Sequence, residues 1–269
     1  MRFREVIEGL GETIELDRAA LLLAGLEYPD LDVDPWLQRL DEMGAEVARR
    51  ISGVSGDYER LEALTRFLYR DVGLRGNTDD YYDPRNSFLN DVLERKLGIP
   101  ISLAVILIEV GRRAEIPLLG VALPGHFVVR HVRHTELLLN PFDEGRILTR
   151  VECADIVSRV LRTEVPLSPQ MLRPVGPREV LARMHHNLRA IYLQKQDLRR
   201  LKRVIERLVL LEPEDLNHWR DRGVFRIHAG DAEGLEDLEH YLEQADEVSD
   251  REEVEKLLTE ARRKLAAVH

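Results

Sequence analysis

The chain has 269 residues, of which 44% are hydrophobic and 33% charged, and its formal net charge is −10 at pH 7. These values predict a folded globular protein of one or two domains and exclude a disordered chain. The acidic balance disfavours a general nucleic-acid-binding role, which needs a basic surface.

The cysteine content and the hydrophobic runs bear on the compartment. One cysteine, Cys153, excludes an internal disulfide and a zinc site built from thiolates, and it suits a reducing cytoplasm. The N-terminal segment MRFREVIEGLGE is charged throughout and has no signal-peptide core. The longest apolar run, residues 99–108, is too short to span a bilayer. We therefore predict a cytoplasmic protein with no membrane and no nucleic-acid partner.

The first part of the chain has a helical pattern. An early apolar run has Asp17 as a candidate N-cap, and Asp34 followed by Pro35 predicts the start of another helix. A further amphipathic helix follows. Residues 73–83 are then polar and rich in turn formers, which predicts a surface loop.

Two aromatic residues of this loop, Tyr81 and Tyr82, could line a groove. The alternative is that they are exposed loop aromatics with a partial packing role. The sequence leaves both interpretations open.

The middle of the chain has a mixed pattern. A helix is predicted over residues 87–97 and ends at Gly98. Pro100 then opens a helix that is apolar almost all round, which is typical of a helix at the centre of a core. Three short strand-like segments follow, separated by turn residues, at residues 120–123, 127–132 and 136–139. Helices followed by consecutive strands predict an α+β domain with an antiparallel sheet.

The last part is helical and repeats itself. Asp197 and Asp231 lie 34 positions apart, and apolar residues recur at the same offset, such as Leu201 with Leu235. A period of about 34 residues is similar to that of the tetratricopeptide repeat. The segment PLSPQMLRPVGP, residues 166–177, is too rich in proline for a helix and predicts a linker. We therefore expect a first domain over residues 1–165 and a repeat module over residues 178–269.

Four strings carry a resemblance to a known family: EYPDLDVD, NSFLNDVLERKLGIPISL, LPGHFVVR and NPFDEG. With the C-terminal repeats, they resemble the transglutaminase-like superfamily, in particular its bacterial SirB-type branch. The resemblance implies a core in which a central helix packs on a small antiparallel sheet.

The resemblance also implies where an active site would lie. Active members have a thiol at the start of the central helix, followed by a histidine and an acid on successive strands. In this chain Pro100 takes the place of the thiol, His126 that of the histidine and Asn140 that of the acid. We expect His126 and Asn140 to lie side by side near the start of the Pro100 helix, as a vestigial site without its nucleophile.

Ser102 is a candidate replacement nucleophile, because it lies near a helix N-terminus and His126 could act as its base. Against this, two helical residues rotate a side chain by roughly 200° away from the direction of Pro100. The alternative is a hydroxyl bonded to a nearby carbonyl. His126 is likewise either a structural histidine at a helix–strand junction or a remnant of a ligand-binding or catalytic site.

The sequence predicts neither a metal nor another cofactor. His131 and His134 match no standard zinc spacing, and the adjacent His185 and His186 cannot face one ligand together. Cys153 is expected to be a buried apolar side chain. The candidates for a binding surface in the old cleft are His126, Asn86, Asn90, Tyr81 and Tyr82.

The favoured function is a non-catalytic protein-interaction or regulatory scaffold. Its repeats would bind a protein or peptide. Because the surface of the repeats is acidic, a basic partner is favoured. One alternative is a hydrolase or acyl transferase using Ser102 and His126. Another is a pseudoenzyme that binds a peptide or small molecule in the vestigial cleft. The oligomeric state stays open.

Overall fold

The computed structural model describes residues 3–8, 14–245 and 248–266. It divides the chain into two compact units, Met1–Asn187 and Leu188–His269. The first combines helices with a small antiparallel sheet and the second contains helices, which confirms the predicted α+β class. Within the described ranges, no helix is long and apolar enough to cross a bilayer.

The N-terminal section contains the helices α1 (Phe3–Glu8), α2 (Leu16–Leu23), α3 (Asp34–Arg50) and α4 (Asp57–Arg66). Helix α3 begins at Asp34 with Pro35 in its first turn, close to the predicted start. Helix α2 begins at Leu16, so the prediction that Asp17 caps it is wrong. The carboxylate of Asp17 instead accepts a hydrogen bond of 2.7 Å from Arg113, which joins α2 to the central helix.

The central helix is α6 (Pro100–Arg113), preceded by α5 (Leu89–Arg95). The predicted helix over residues 87–97 is shorter, because Lys96 takes a left-handed conformation with φ 61° and ends it. Gly98 is therefore not the residue that ends the helix. It lies in strand β2 (Leu97–Gly98), which pairs in parallel with β1 (Arg75–Gly76). A Cβ at position 98 would lie 2.8 Å from Ser102 Oγ, so the packing there requires glycine.

The main sheet has five strands in the order β6-β5-β4-β3-β7, and all neighbours are antiparallel. They are β3 (Leu118–Leu123), β4 (His126–His131), β5 (Leu138–Asn140), β6 (Arg146–Leu148) and β7 (Pro174–Val175). Helix α6 packs on β3 and β4 and is buried along most of its length. The three predicted strands are present, with boundaries shifted by one or two residues.

Strand β7 lies inside the proline-rich segment, residues 166–177, that we predicted as a linker. Leu172 of this segment belongs to the same buried cluster as Val121 and Val128 of the sheet. The segment is therefore part of the packed first unit. The domain limits predicted from the sequence, residues 1–165 and 178–269, stay a prediction.

Two further helices begin in the first unit. Helix α7 (Arg150–Leu161) begins with a capping box between Thr149 and Glu152, and it buries Cys153 and Val157 against the sheet. Helix α8 (Pro177–Gln194) contains the boundary between the units.

The second unit continues with α9 (Leu198–Leu211), α10 (Leu216–His228), α11 (Glu233–Gln244) and α12 (Arg251–Ala266). Asp197 caps α9 through the Arg200 N–H, and Asp231 accepts the Glu233 N–H at the start of α11. These are the two aspartates of the predicted repeat. Its second copy ends at residues 244–248, of which 246 and 247 lie outside the described residues.

Candidate functional site

The start of α6 is the position that the resemblance assigns to a nucleophile. Ile99 is the N-cap residue, in extended conformation, and Pro100 is the first helical residue. Proline suits this position because its missing N–H would have no partner inside the helix. Pro100 is buried, and its ring has no group that could attack a carbonyl. Pro100 therefore contributes packing at the start of the helix.

His126 and Asn140 lie side by side, as expected. His126 opens β4 and Asn140 ends β5, and His126 Nε2 is 3.0 Å from Asn140 Oδ1. The one-turn helix Pro141–Asp143 after Asn140 packs against α6, which brings this pair to the central helix. The structure thus assembles the helix–histidine–amide arrangement that the family resemblance implies.

Hydrogen bonding fixes the tautomer of His126. Asn140 Oδ1 also accepts the backbone N–H of Phe142 at 3.2 Å, so this atom is the amide oxygen and His126 Nε2 must donate to it. In a neutral ring the Nδ1 lone pair is then free. Burial lowers the pKa of His126, and Arg159 lowers it further, against the opposing hydrogen bond to Asn140. Asn140 therefore orients the His126 ring, and burial favours its neutral form.

Ser102 is not arranged as a nucleophile. Its hydroxyl is fully buried and lies 2.6 Å from the Asn86 carbonyl oxygen, to which it donates, and 3.1 Å from that of Ile99. It also accepts the Ile99 N–H at 3.1 Å. These backbone partners use the donor and acceptor capacity of the hydroxyl. They favour the structural interpretation of Ser102.

Asn86, a predicted binding residue, anchors the loop before α5. Its side chain accepts a hydrogen bond from Asn77 Nδ2 at 3.0 Å and donates to the carbonyl of Asp80 at 2.7 Å. Asn77 in turn donates its backbone N–H to Gly98. The sequence analysis missed Asn77, although an asparagine in a turn-rich loop is a signal for such side-chain to backbone bonding.

The other predicted binding residues differ in exposure. Asn90 is 7% exposed, and its Oδ1 has no hydrogen-bond partner among the described residues. Tyr81 and Tyr82 are 37% and 56% exposed. Tyr81 makes an edge-to-face contact with Phe142, at 5.9 Å between ring centroids. Tyr82 in turn packs edge-to-face on Tyr81, at 5.4 Å between ring centroids, so the two tyrosines lie beside the segment that follows Asn140.

Cys153 is the one cysteine of the chain, and it lies in the core. It is fully buried in α7, and burial raises the pKa of its thiol to about 11. A thiol of this pKa is protonated at neutral pH, and only the thiolate is strongly nucleophilic. The expectation of a buried apolar cysteine is confirmed.

The histidines considered as metal ligands lie in different places. His185 is buried, with its ring 5.2 Å from that of Phe3. His131 and His134 lie at the opposite end of β4 from His126, and Asp57 of α4 lies with them. The sequence gave no sign of this third residue, because it is 74 positions from His131 along the chain.

Comparisons with known proteins agree with this architecture. The family model of the transglutaminase-like superfamily matches residues 34–186, and a tetratricopeptide repeat model matches residues 188–259. The chain is 40% identical over 237 residues to a UPF0162 protein of Xylella fastidiosa (strain 9a5c), which covers 86% of this chain and 84% of that protein. No solved structure matches it significantly.

Two more distant relatives show how far the similarity extends. A UPF0162 protein of Pseudomonas aeruginosa is 32% identical over 177 residues, or 66% of this chain and 64% of that protein. F-box only protein 21 of Mus musculus is 30% identical over 137 residues, or 48% of this chain and 21% of that protein.

Proposed function

This chain belongs to the transglutaminase-like superfamily and carries tetratricopeptide repeats, and on that basis we propose that it is a non-catalytic protein-interaction scaffold of the cytoplasm. The observation that carries the proposal is Pro100. It occupies the position that the resemblance assigns to the thiol, while His126 and Asn140 keep the geometry of a base and its orienting amide.

A base without a nucleophile does not support covalent acyl transfer. The Nδ1 lone pair of His126 could accept a proton, but thiol chemistry needs a cysteine within reach of the base. The other two candidates are buried and occupied, since Cys153 packs in a hydrophobic cluster and Ser102 bonds to backbone groups. This distribution supports a scaffold over a hydrolase built on Ser102.

The repeat unit supports the interaction role. Tetratricopeptide repeats generally mediate contacts between proteins. Repeat units of this kind bury their apolar faces against neighbouring repeats and leave a surface for a partner. We assign the partner-binding surface to the helices α9–α12.

Charge within the repeat unit is unevenly distributed, which indicates the kind of partner. Residues 188–211 contain seven basic and two acidic residues, whereas residues 212–269 contain 17 acidic and eight basic ones. Some of the acids form ion pairs within the unit, such as Glu233 and Asp237 with Arg226. Glu214 and Glu236 are exposed and lie outside these pairs. We propose that a basic protein segment binds this acidic part.

A second candidate is supported by the aromatic residues of the loop that contacts Phe142. The exposed rings of Tyr81 and Tyr82 and the oriented imidazole would suit a peptide or small molecule in the vestigial cleft. Such a ligand would be bound and not turned over.

The test combines affinity capture with an activity assay. Full-length protein is used as bait at low and high salt, beside the double variant Glu214→Lys, Glu236→Lys and the control Glu164→Lys, an exposed charge reversal in the first unit. We expect partners that are lost at high salt and with the double variant, but kept with the control, because screening weakens surface attraction. Recovery of the same partners with all baits would refute the acidic surface. Turnover of an ester or amide substrate would refute the non-catalytic role.

A further inference from the structure

A second cluster of functional groups lies at the far end of strand β4. Asp57 is the first residue of α4, His131 ends β4, and His134 lies in the turn before β5. One potential ligand atom from each lies within 4.8 Å of the others. His126 is five residues from His131 along the strand, or roughly 16 Å at about 3.3 Å per residue. The cluster is therefore distinct from the His126–Asn140 pair.

The turn that carries the two histidines is held by backbone hydrogen bonds. The Leu137 N–H donates to the His134 carbonyl at 3.0 Å, and the His131 N–H donates to the Leu137 carbonyl at 3.3 Å. The His134 N–H donates to His131 Nδ1 at 3.1 Å. The two imidazoles lie 5.1 Å apart with 31° between their planes. These bonds hold the turn that brings the two imidazoles together.

The contact between His134 and Asp57 fits metal coordination. His134 Nε2 is 3.1 Å from Asp57 Oδ2. Around a tetrahedral Zn²⁺ with bonds of about 2.0–2.1 Å, two donor atoms lie roughly 3.3 Å apart, so this pair needs little movement. Glu136 Oε1 is 3.6 Å from His134 Nδ1. Without a metal, His134 Nε2 carries the proton that Asp57 Oδ2 accepts. When a metal displaces that proton, the Glu136 carboxylate can accept an Nδ1–H, which leaves the Nε2 lone pair for the metal.

We propose that Asp57, His131 and His134 bind a Zn²⁺ ion, with water at the remaining coordination position. Two imidazoles and one carboxylate are a ligand set that suits zinc. The site would tie α4 to the end of β4.

Two features of the cluster limit its affinity. Arg133 donates to Asp57 Oδ1, so a cation already compensates the carboxylate. His131 also gives up the hydrogen bond from the His134 N–H if it coordinates through Nδ1. Removal of Arg133 should strengthen zinc binding, because the guanidinium then no longer competes for Asp57. The Arg133 side chain is 61% exposed, so its removal should not disturb the fold. If Asp57 and Arg133 formed only a structural ion pair, removal of Arg133 would not increase the affinity for zinc.

The experiment measures Zn²⁺ affinity of the full-length chain without a histidine tag, by competition with a chromophoric chelator. Co²⁺ absorption reports the coordination. We expect one bound Zn²⁺, at least a tenfold loss of affinity for His134→Ala and for Asp57→Asn, and a gain of about fivefold for Arg133→Gln, the size of a surface charge effect. His228→Ala, an exposed histidine in the second unit, is the control and should change nothing.

Two results would contradict zinc binding at this site. Absence of Zn²⁺ binding by the wild-type chain would overturn the proposal. So would equal affinity in wild type, His134→Ala and Asp57→Asn, which indicates adventitious binding elsewhere. His134 is 45% exposed in its side chain, so His134→Ala keeps the test valid even if Asp57→Asn weakens the helix start.

Discussion

Ser102→Ala separates a structural hydroxyl from a catalytic one. The hydroxyl donates to the Asn86 carbonyl and accepts the Ile99 N–H, and these three residues are each at most 2% exposed. Alanine leaves a buried carbonyl and a buried N–H without this partner. Each such group costs about 1–3 kcal/mol, partly offset because alanine buries no polar atom. We expect a loss of about 2–4 kcal/mol in the free energy of unfolding.

The assay is thermal and urea unfolding of the first unit. The chain has two tryptophans, Trp36 in the first unit and Trp219 in the second, so a Trp219→Phe background makes Trp36 fluorescence report the first unit alone. The Tm should fall by roughly 6–12 °C, at about 3 °C per kcal/mol. Ser52→Ala, at an exposed serine, is the control and should stay within about 0.5 kcal/mol of the parent.

Two results would contradict the reasoning. A Ser102→Ala variant as stable as its parent would show that the buried hydrogen bonds do not contribute. Ester hydrolysis by the parent that disappears in a Ser102→Ala variant of unchanged stability would favour the hydrolase alternative.

Three further predictions concern other groups. Asn140→Asp places a carboxylate beside the His126 imidazole and should raise the His126 pKa, seen by NMR titration, because a nearby negative charge favours the protonated ring. An unchanged pKa would contradict the observed contact. Cys153 should resist alkylation in the folded chain and react after unfolding, because its thiol is buried with a pKa of about 11; rapid labelling of the native protein would argue otherwise. Asp237→Ala removes the partner of buried Arg222 and should destabilise the second unit by about 3–5 kcal/mol, measured by urea unfolding with Trp219 fluorescence in a Trp36→Phe background. A loss below about 1 kcal/mol would show that the pair is not needed.

The features that could be predicted from the sequence are those with a local signature. The apolar pattern after Pro100 predicts the buried helix α6, and short runs between turn residues predict β3, β4 and β5. The pairing of His126 with Asn140 followed from the family resemblance, since nothing in the local pattern relates two residues 14 positions apart.

The features that could not be predicted depend on long-range contacts. Strand β7 has only two residues, one of them a proline, so it has no periodicity that could identify it. Asp57 and His134 are 77 positions apart along the chain, so only the tertiary fold brings them together. Helix α5 ends where Lys96 takes a left-handed conformation. The sequence favoured Gly98 as the residue that ends the helix, because glycine adopts this conformation without strain.

Strand β7 has a consequence for the behaviour of the protein at high concentration. It is an edge strand, and a sheet edge can recruit a strand from another molecule and so start aggregation. Pro174 has no N–H to offer to such a strand, and its ring obstructs close approach. The same proline-rich composition that predicted a linker therefore disfavours the pairing of another strand along this edge of the sheet.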